Sequence, residues 1–245
     1  MQLIVATRNT HKTREIEQIL GPTLAVRDLT AHPEISEITE SGTSFEENAK
    51  LKAIAVSKRL PGLVIADDSG LEVEALRGAP GIHSARYAGA NASDKEKIAK
   101  LLRQLAKVDA KSDQRRARFC CVLAVARDGR ILAMVEGLVE GKITERPRGS
   151  HGFGYDPIFI PDGFEETFAE LPEELKNNIS HRANPEIKVS ISADLMAMHG
   201  DVIAVLDKVR SAGITKVGYQ IRAAGAQGAQ PPGAPPPPPA PAPKP

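Results

Sequence analysis

Tryptophan is absent, aromatic side chains make up only 4% of the chain, and two cysteines occur in 245 residues. The cysteines, Cys120 and Cys121, are adjacent inside an apolar run. On a strand they face opposite ways, and a disulfide between neighbours needs a strained backbone, so they read as packing residues and suggest no metal site. Charge of one sign is also missing. A formal net charge of +1 gives no overall basic field to draw in nucleic acid, so an anionic ligand must be held by a local cluster. No apolar run approaches the ~20 residues needed to span a bilayer, and the N-terminus lacks a signal-peptide pattern. A cytosolic protein with no membrane or nucleic-acid partner is the expectation. What is present, 41% hydrophobic and 26% charged residues, is ordinary for a globular protein and sufficient for one large or two small domains.

Leu63-Val-Ile-Ala-Asp-Asp-Ser-Gly-Leu71 is the most informative stretch. The apolar run from Leu63 to Ala66 reads as a buried strand ending on Asp67 and Asp68, with Ser69-Gly70 as a turn. Alternation along a strand sends the two carboxylates to opposite sides. One faces a crevice at the strand's carboxyl end, where ligands of open α/β sheets bind, and the other braces the turn. A carboxylate there can hold a hard cation or take a proton from water. Alone, the same residues also fit a plain acidic turn.

Along the chain, Leu3–Ala6 is a short strand leading into the polar loop Thr7–Lys12 and an amphipathic helix with Ile16, Ile19 and Leu20 on one face. Ser44-Phe-Glu-Glu47 reads as a capping box opening a helix through about Leu60, with Phe45, Ala49, Ala53 and Val56 as its buried stripe. A third helix is expected over Asp94–Leu105 and a strand over Ala117–Ala126. Asp128-Gly129 then forms a hairpin turn to a returning strand, Ile131–Val135. The glycine-rich loop Gly149–Asp156 leads to a strand at Pro157–Ile160, and a helix follows over about Pro172–Asn177. The expected class is α/β, with a mixed β-sheet flanked by helices. After Asn184-Pro185 the pattern becomes strand (Ile187, Val189, Ile191), helix (Val202 to Val209), strand (Val217, Tyr219, Ile221). From Ala223 onward Ala, Gly, Gln and Pro dominate, a composition that cannot build a core.

Four groups of residues carry chemistry. Thr7, Arg8, Asn9, Thr10, His11 and Lys12 lie between a strand and a helix N-terminus, a place suited to anions, although the P-loop glycines are missing. Glu40 precedes the second helix and Lys52 lies within it. With Asp68 they could surround a magnesium ion and phosphates, or Lys52 could simply be solvated. In the loop of Phe153, Gly154, Tyr155 and Asp156, an aromatic ring can stack on a nucleobase or serve a core. Lys176 and Ser180-His181-Arg182 supply donors that could read purine carbonyls, though a lone histidine is more often structural.

In order along the chain, Thr7-Arg-Asn-x-x-Lys12, Glu40-Ser-Gly-x-Ser-Phe-Glu-Glu-Asn-Ala49, Ala66-Asp-Asp-Ser-Gly-Leu71, Gly78-Ala-Pro-Gly-Ile-His-Ser-Ala-Arg86, Gly152-Phe-Gly-Tyr-Asp-Pro157 and Ser180-His-Arg-Ala183 resemble the RdgB-type inosine/xanthosine triphosphate pyrophosphatases over residues 1–184. The resemblance implies two lobes around a nucleotide-binding cleft. It also implies Mg²⁺-dependent cleavage of dITP, ITP and XTP to monophosphate and pyrophosphate, and a homodimer. Carried over by position, Thr7, Asn9, Lys12 and Lys52 hold the phosphates, with Arg8, Thr10 and His11 in the same loop. Glu40 and Asp68 hold the metal, and Asp68 accepts the proton. Ser69 contacts substrate, Phe153 stacks on the base with Gly154, Tyr155 and Asp156 completing its loop, and Lys176, His181 and Arg182 read the base.

His11 stands where that family usually has glycine, and Pro185 interrupts its usual closing helix. Residues 186–222 instead resemble the C-terminal part of ExbD/TolR-type biopolymer-transport domains, through Ser192-Ala-Asp-x-x-x-x-His-Gly200 and Ala212-Gly-Ile-Thr-Lys-Val217. The domain expectation is therefore 1–184, 185–222 and a tail, 223–245. Two other functions are open at this point: a non-catalytic interaction protein using the C-terminal unit and tail, and a hydrolase of modified pyrimidine triphosphates.

Overall fold

The computed structural model describes residues 2–20, 25–111, 114–182, 187–193 and 217–223. Eight strands form one mixed sheet. In chain order the elements are β1 (Gln2–Val5), α1 (Thr10–Leu20), β2 (Ala25–Asp28), α2 (Phe45–Ser57), β3 (Leu63–Val73), α3 (Asp94–Lys107), β4 (Arg116–Arg127), β5 (Arg130–Ile143), β6 (Phe159–Pro161), α4 (Glu173–Ile179), β7 (Ile187–Ala193) and β8 (Val217–Ala223). The sheet order is β2-β1-β3-β4-β5-β7-β8, with β6 on β5. β1 runs parallel to β2 and β3, β3 through β5 form an antiparallel meander, and β7 runs antiparallel to β5 and parallel to β8. The α/β class with a mixed sheet is as expected from the sequence.

Three apolar clusters fix the layers. The α2 stripe, Phe45, Ala49, Ala53 and Val56, packs with Val64, Ala66, Val122 and Ala124 on one face of the sheet. Leu71, Val73, Phe119 and Val139 pack on the other face with Leu101 and Leu105 of α3 and with Phe159 and Phe168. A smaller group, including Leu3, Leu63 and Ile65, continues the second face. The β4–β5 hairpin turns at Asp128 (φ 51°) and Gly129 (φ 76°), two left-handed residues in succession whose twist matches the strands they join.

Several local expectations are corrected. β3 does not stop at the aspartates: Asp67, Asp68, Ser69 and Gly70 are mid-strand, paired with Leu123, Val122, Cys121 and Cys120 of β4. The polar side chains look like a turn in sequence, but the ladder to β4 satisfies their backbone. Ser44 caps α2 by accepting from the Glu47 amide, yet Glu47 reaches back to the amide and hydroxyl of Thr43, one residue beyond a capping box. α2 ends at Ser57 rather than Leu60. A complete capping box stands instead at the start of α3, between Ser93 and Glu96. β5 runs on to Ile143, well past Val135, because β4 pairs with it as far as Lys142 and β6 pairs with Gly141–Ile143. Residues Asp156–Ile158 form a single 3-10 turn, so β6 starts at Phe159.

The strands expected after Pro185 are present, and their parallel pairing is the arrangement a strand–crossover–strand unit gives. The helix expected between them, Pro185 itself and the tail beyond Ala223 lie outside the described residues.

Candidate active site

The site forms where β1 stops. Pairing between β1 and β3 ends at Val5 and Ile65, while β3 continues with β4 as far as Val73. The chain leaving β1 turns into the Thr7–Lys12 loop, so the edge of β3 near Asp67 is left open at the carboxyl end of a parallel strand. This is the crevice that α/β sheets offer to ligands, reached through β1 rather than through the end of β3. Because Asp67 and Asp68 alternate, the crevice collects one set of partners from each face of the sheet.

On the α2 face, the Lys52 ammonium donates to Asp68 Oδ1 (2.9 Å), Glu40 Oε1 (2.8 Å) and the Asp67 carbonyl (2.6 Å). Arg86 Nη1 donates to the other Glu40 oxygen at 2.8 Å. Burial pushes the Asp68 carboxyl above the usual range, beyond what Lys52 pulls back. Burial acts in the same direction on Glu40, but Lys52 and Arg86 outweigh it and hold that carboxyl low. Burial would make Lys52 less basic, and Asp68 and Glu40 reverse the sign. Asp68 Oδ2 is buried and has no hydrogen-bond partner.

On the opposite face, Asp67 is fully enclosed. Its Oδ1 accepts from Lys12 Nζ (2.7 Å) and Ser69 Oγ (2.8 Å), and its Oδ2 accepts from Arg182 Nε (2.8 Å). Burial alone would raise this carboxyl; Lys12 and Arg182 hold it well below the carboxylate range. Arg182 also reaches Ser69 Oγ (2.9 Å) and Glu15 Oε2 (2.7 Å). Glu15 Oε1 and Asp156 Oδ2 each accept from Lys176 Nζ at 2.7 Å. A buried chain of alternating charges thus runs from Lys12 to the glycine-rich loop.

Phe153 stands at the end of that chain, half-buried. Lys176 Nζ lies 5.1 Å and Arg182 Cζ 5.6 Å from its ring centroid, within cation–π range. His11 stacks on it at 5.4 Å. Its loop is held by Asp156 Oδ2, which accepts from the Phe153 amide (2.8 Å), and by Asp94 Oδ2, which accepts from the Gly154 amide (2.7 Å). Gly152 adopts φ 74°, and a Cβ there would lie 2.0 Å from Asp156 Oδ2, so only glycine closes the loop. Beside the ring lies a cavity of about 320 Å³ lined by His11, Glu15, Phe153, Phe168, Leu171 and Lys176 among others.

His181 is buried, with its ring parallel to Phe119 (4.9 Å between centroids, 10° between planes). Burial and the neighbouring Arg182 drive its pKa well below the usual histidine value, so the ring is neutral. Neither ring nitrogen has a hydrogen-bond partner. Its backbone lies against Gly137 of β5, where a Cβ would meet the His181 carbonyl at 1.9 Å.

The remaining residues have other duties. Asn9 Oδ1 accepts from the His11 (3.0 Å) and Lys12 (3.3 Å) amides and caps α1, using two amides that a bare helix N-terminus would offer to an anion. Thr7 Oγ1 accepts from the Asn9 amide. Thr10 is exposed at the start of α1. The Arg8 guanidinium donates to the carbonyls of Leu29, His32 and Ile35, bracing the loop after β2. Tyr155 points into the core, its hydroxyl donating to the Ser84 carbonyl. Residue-by-residue reading gave no role to Glu15, Arg86 or Asp94. Glu15 has a signal in its spacing, three residues after Lys12 on one helix face. Arg86 ends a motif already singled out. Asp94 has none, since its contact with Gly154 spans sixty residues of chain.

Known proteins align with this geometry. The Ham1 family model matches residues 3–186. A dITP/XTP pyrophosphatase of Geobacillus kaustophilus is 49% identical over 189 residues, covering 77% of this chain and 92% of that protein. One from Bacillus subtilis is 48% identical over 190 residues, covering 77% and 95%. Among solved structures, a HAM1 protein from Coxiella burnetii superposes with a TM-score of 0.67 at 39% identity, covering 75% of this chain and 93% of that one. The Staphylococcus aureus Ham1 protein gives 0.65 at 42% identity over the same shares, 75% and 93%. The match spans β1 through the Ser180–Arg182 segment, the region that builds both faces of the crevice, and with three quarters of its length so matched the chain belongs to the Ham1 family.

Proposed function

We propose that this protein hydrolyses non-standard purine nucleoside triphosphates (dITP, ITP, XTP) to the monophosphate and pyrophosphate, removing deaminated purines from the nucleotide pool. The observation that carries this reading is Asp68 Oδ2, a buried carboxylate oxygen without a partner beside Glu40 and Lys52 in the crevice. A buried polar atom without a partner is costly, and a ligand bound in the crevice would satisfy it. Relatives named dITP/XTP pyrophosphatase support the choice of ligand and do not favour a role limited to protein interaction.

The donor set fits a hard divalent cation. Glu40 and Asp68 present carboxylate oxygens around Lys52, one of them unpartnered, and no group of three or more acidic, histidine or cysteine ligands exists among the described residues. Two carboxylates completed by phosphate and water oxygens are the pattern of Mg²⁺, which we take as the cofactor. When bound, it neutralises charge developing on the split phosphoanhydride.

The protein's own residues do the rest. Asp68, more basic than an ordinary carboxylate, accepts the proton of the attacking water. Lys12 and Lys52 balance the phosphates, with Thr7, Asn9, Thr10 and His11 shaping the loop beside them and Arg8 bracing it. Ser69 lies next to Lys12's partner Asp67 and contacts substrate. Phe153 stacks on the base, held by Gly154, Tyr155 and Asp156. His181, Lys176 and Arg182 face the ring carbonyls. An amino group at the same ring position would meet donors and leave them unpaired, a large penalty in a buried site.

We further take the homodimer and a cytoplasmic site of action as part of this reading; light scattering tests the first. No helix among the described residues is long and apolar enough to cross a membrane. For residues 186–222 the ExbD/TolR-like unit stays our proposal, supported by the parallel β7–β8 pair, with 1–184 as the catalytic domain and 223–245 as a tail.

The test is pyrophosphate release from dITP, XTP, dATP, dGTP and dTTP, with Mg²⁺ and with EDTA. Turnover of dITP and XTP alone, abolished by EDTA, is expected. Preference for dTTP, or turnover in EDTA, would overturn the reading.

A further inference from the structure

Arg86, paired with Glu40, is a cation of the crevice that the proposed function leaves without a task. It ends a 3-10 segment, Gly81–Arg86, pinned from two directions. Ser84 Oγ accepts from the Leu71 amide of β3 at 2.9 Å and donates to the Gly81 carbonyl at 2.6 Å, and Tyr155 donates to the Ser84 carbonyl at 3.0 Å. The guanidinium is therefore delivered by a fixed arm, and its contact with Glu40 is built in rather than incidental.

Around it, two acids and two cations alternate: Arg86 on Glu40 Oε2, Glu40 Oε1 on Lys52, Lys52 on Asp68. The formal charges of this quartet cancel. Its members differ in access, since the Arg86 side chain is 38% exposed against 11% for Lys52. Arg86 is thus the more accessible of the two cations that hold Glu40.

We propose that Arg86 exchanges partners during the catalytic cycle: it holds Glu40 in the substrate-free protein and passes to the pyrophosphate portion of the substrate once Glu40 is engaged by the divalent cation. Engagement of both carboxylates leaves Lys52 and Arg86 without counter-charges, side by side, where a polyanion needs them. The planar fork of arginine suits a phosphate bidentately, which a lysine cannot match. In the resting state the same ion pair keeps Glu40 low in pKa and oriented, at the expense of competing with the cation for its oxygen.

This rests on the reading of Glu40 and Asp68 as the cation-holding pair, so the experiment separates the two. Calorimetry on the full chain would measure the affinity for Mg²⁺ without nucleotide, then for inorganic pyrophosphate at saturating Mg²⁺, in the parent and in Glu40→Gln, Arg86→Gln and Arg86→Lys. Glu40→Gln should abolish Mg²⁺ binding; if it does not, the underlying reading fails. Arg86→Gln should shift the two affinities in opposite directions. Mg²⁺ binds about two- to fivefold more tightly, the worth of a partly exposed ion pair, and pyrophosphate binds roughly tenfold or more weakly. Arg86→Lys should recover part of the pyrophosphate affinity. General damage to the fold would weaken both, and no change in either affinity, or a loss in both, would overturn the exchange.

Discussion

Asp67→Asn and Asp68→Asn should part stability from chemistry at adjacent residues. Asp67 has a fully enclosed side chain, and its partner Arg182 is only 4% exposed. Removing one member of a buried pair costs about 3–5 kcal/mol because the other charge is left uncompensated. Arg182 keeps Glu15 at 2.7 Å, and Lys12, 18% exposed, can turn to water, so Asp67→Asn should cost about 3 kcal/mol, the lower end of that range. At about 2–4 °C per kcal/mol for a domain of this size, its melting point should fall by about 6–12 °C. Asp68→Asn removes a charge that burial already opposes, and Lys52 keeps Glu40 and the Asp67 carbonyl. Its stability should stay within about 1 kcal/mol of the parent, while turnover of dITP falls about 10²- to 10⁴-fold with loss of the base. Melting followed by circular dichroism in EDTA, beside pyrophosphate release in Mg²⁺, reads both. The sign with pH is also fixed. The Asp67 carboxyl is depressed in the fold, so its stabilisation is full above the ordinary carboxylate range and is lost as pH falls toward its own lower pKa. The gap between Asp67→Asn and the parent should therefore close in acid. If Asp67→Asn melts with the parent, or Asp68→Asn melts several degrees lower and keeps its turnover, the division of roles is wrong.

His181 stays neutral in the fold while an unfolded chain takes up a proton below about pH 6.5, so the parent should lose stability as pH falls through that point, approaching about 1.4 kcal/mol per pH unit a unit or more below it. His181→Phe should flatten this slope in melts between pH 7 and 5, and an unchanged slope would refute it. Gly137→Ala sets a methyl 1.9 Å from the His181 carbonyl, a backbone atom that cannot rotate away. It should cost about 1–3 kcal/mol and raise the KM for dITP, and a variant with parental melting and kinetics would show that the Ser180–Arg182 segment adapts.

The site was legible to different depths. Lys12 at the start of α1, Glu40 ahead of α2, Lys52 within α2 and Asp68 in β3 were each singled out in the sequence, and the structure brings them around one crevice. Phe153 drew notice as one of few aromatics in a glycine-rich loop. The strand was read as ending on the acidic pair, with a turn at Ser69-Gly70, because Asp, Ser and Gly favour turns, and strand pairing with β4 overrode that preference. Arg8 looked like a phosphate ligand from its place in the loop, yet three backbone carbonyls claim its guanidinium.

Composition, periodicity and motif order by themselves determined the α/β class, the buried face of α2, the hairpin at Asp128-Gly129 and the residue types from which a triphosphate site is made. Those properties are local, set by a residue and its neighbours a few positions away. Tertiary structure alone decided that β1 stops short and opens the edge of β3. It also placed Asp67 inside a charge network with Lys12 and Arg182, residues 55 and 115 positions away, and brought Arg86 to Glu40 across 46. Such contacts depend on sheet order and on which charges can be buried only in company, and neither is written in any short stretch of the chain.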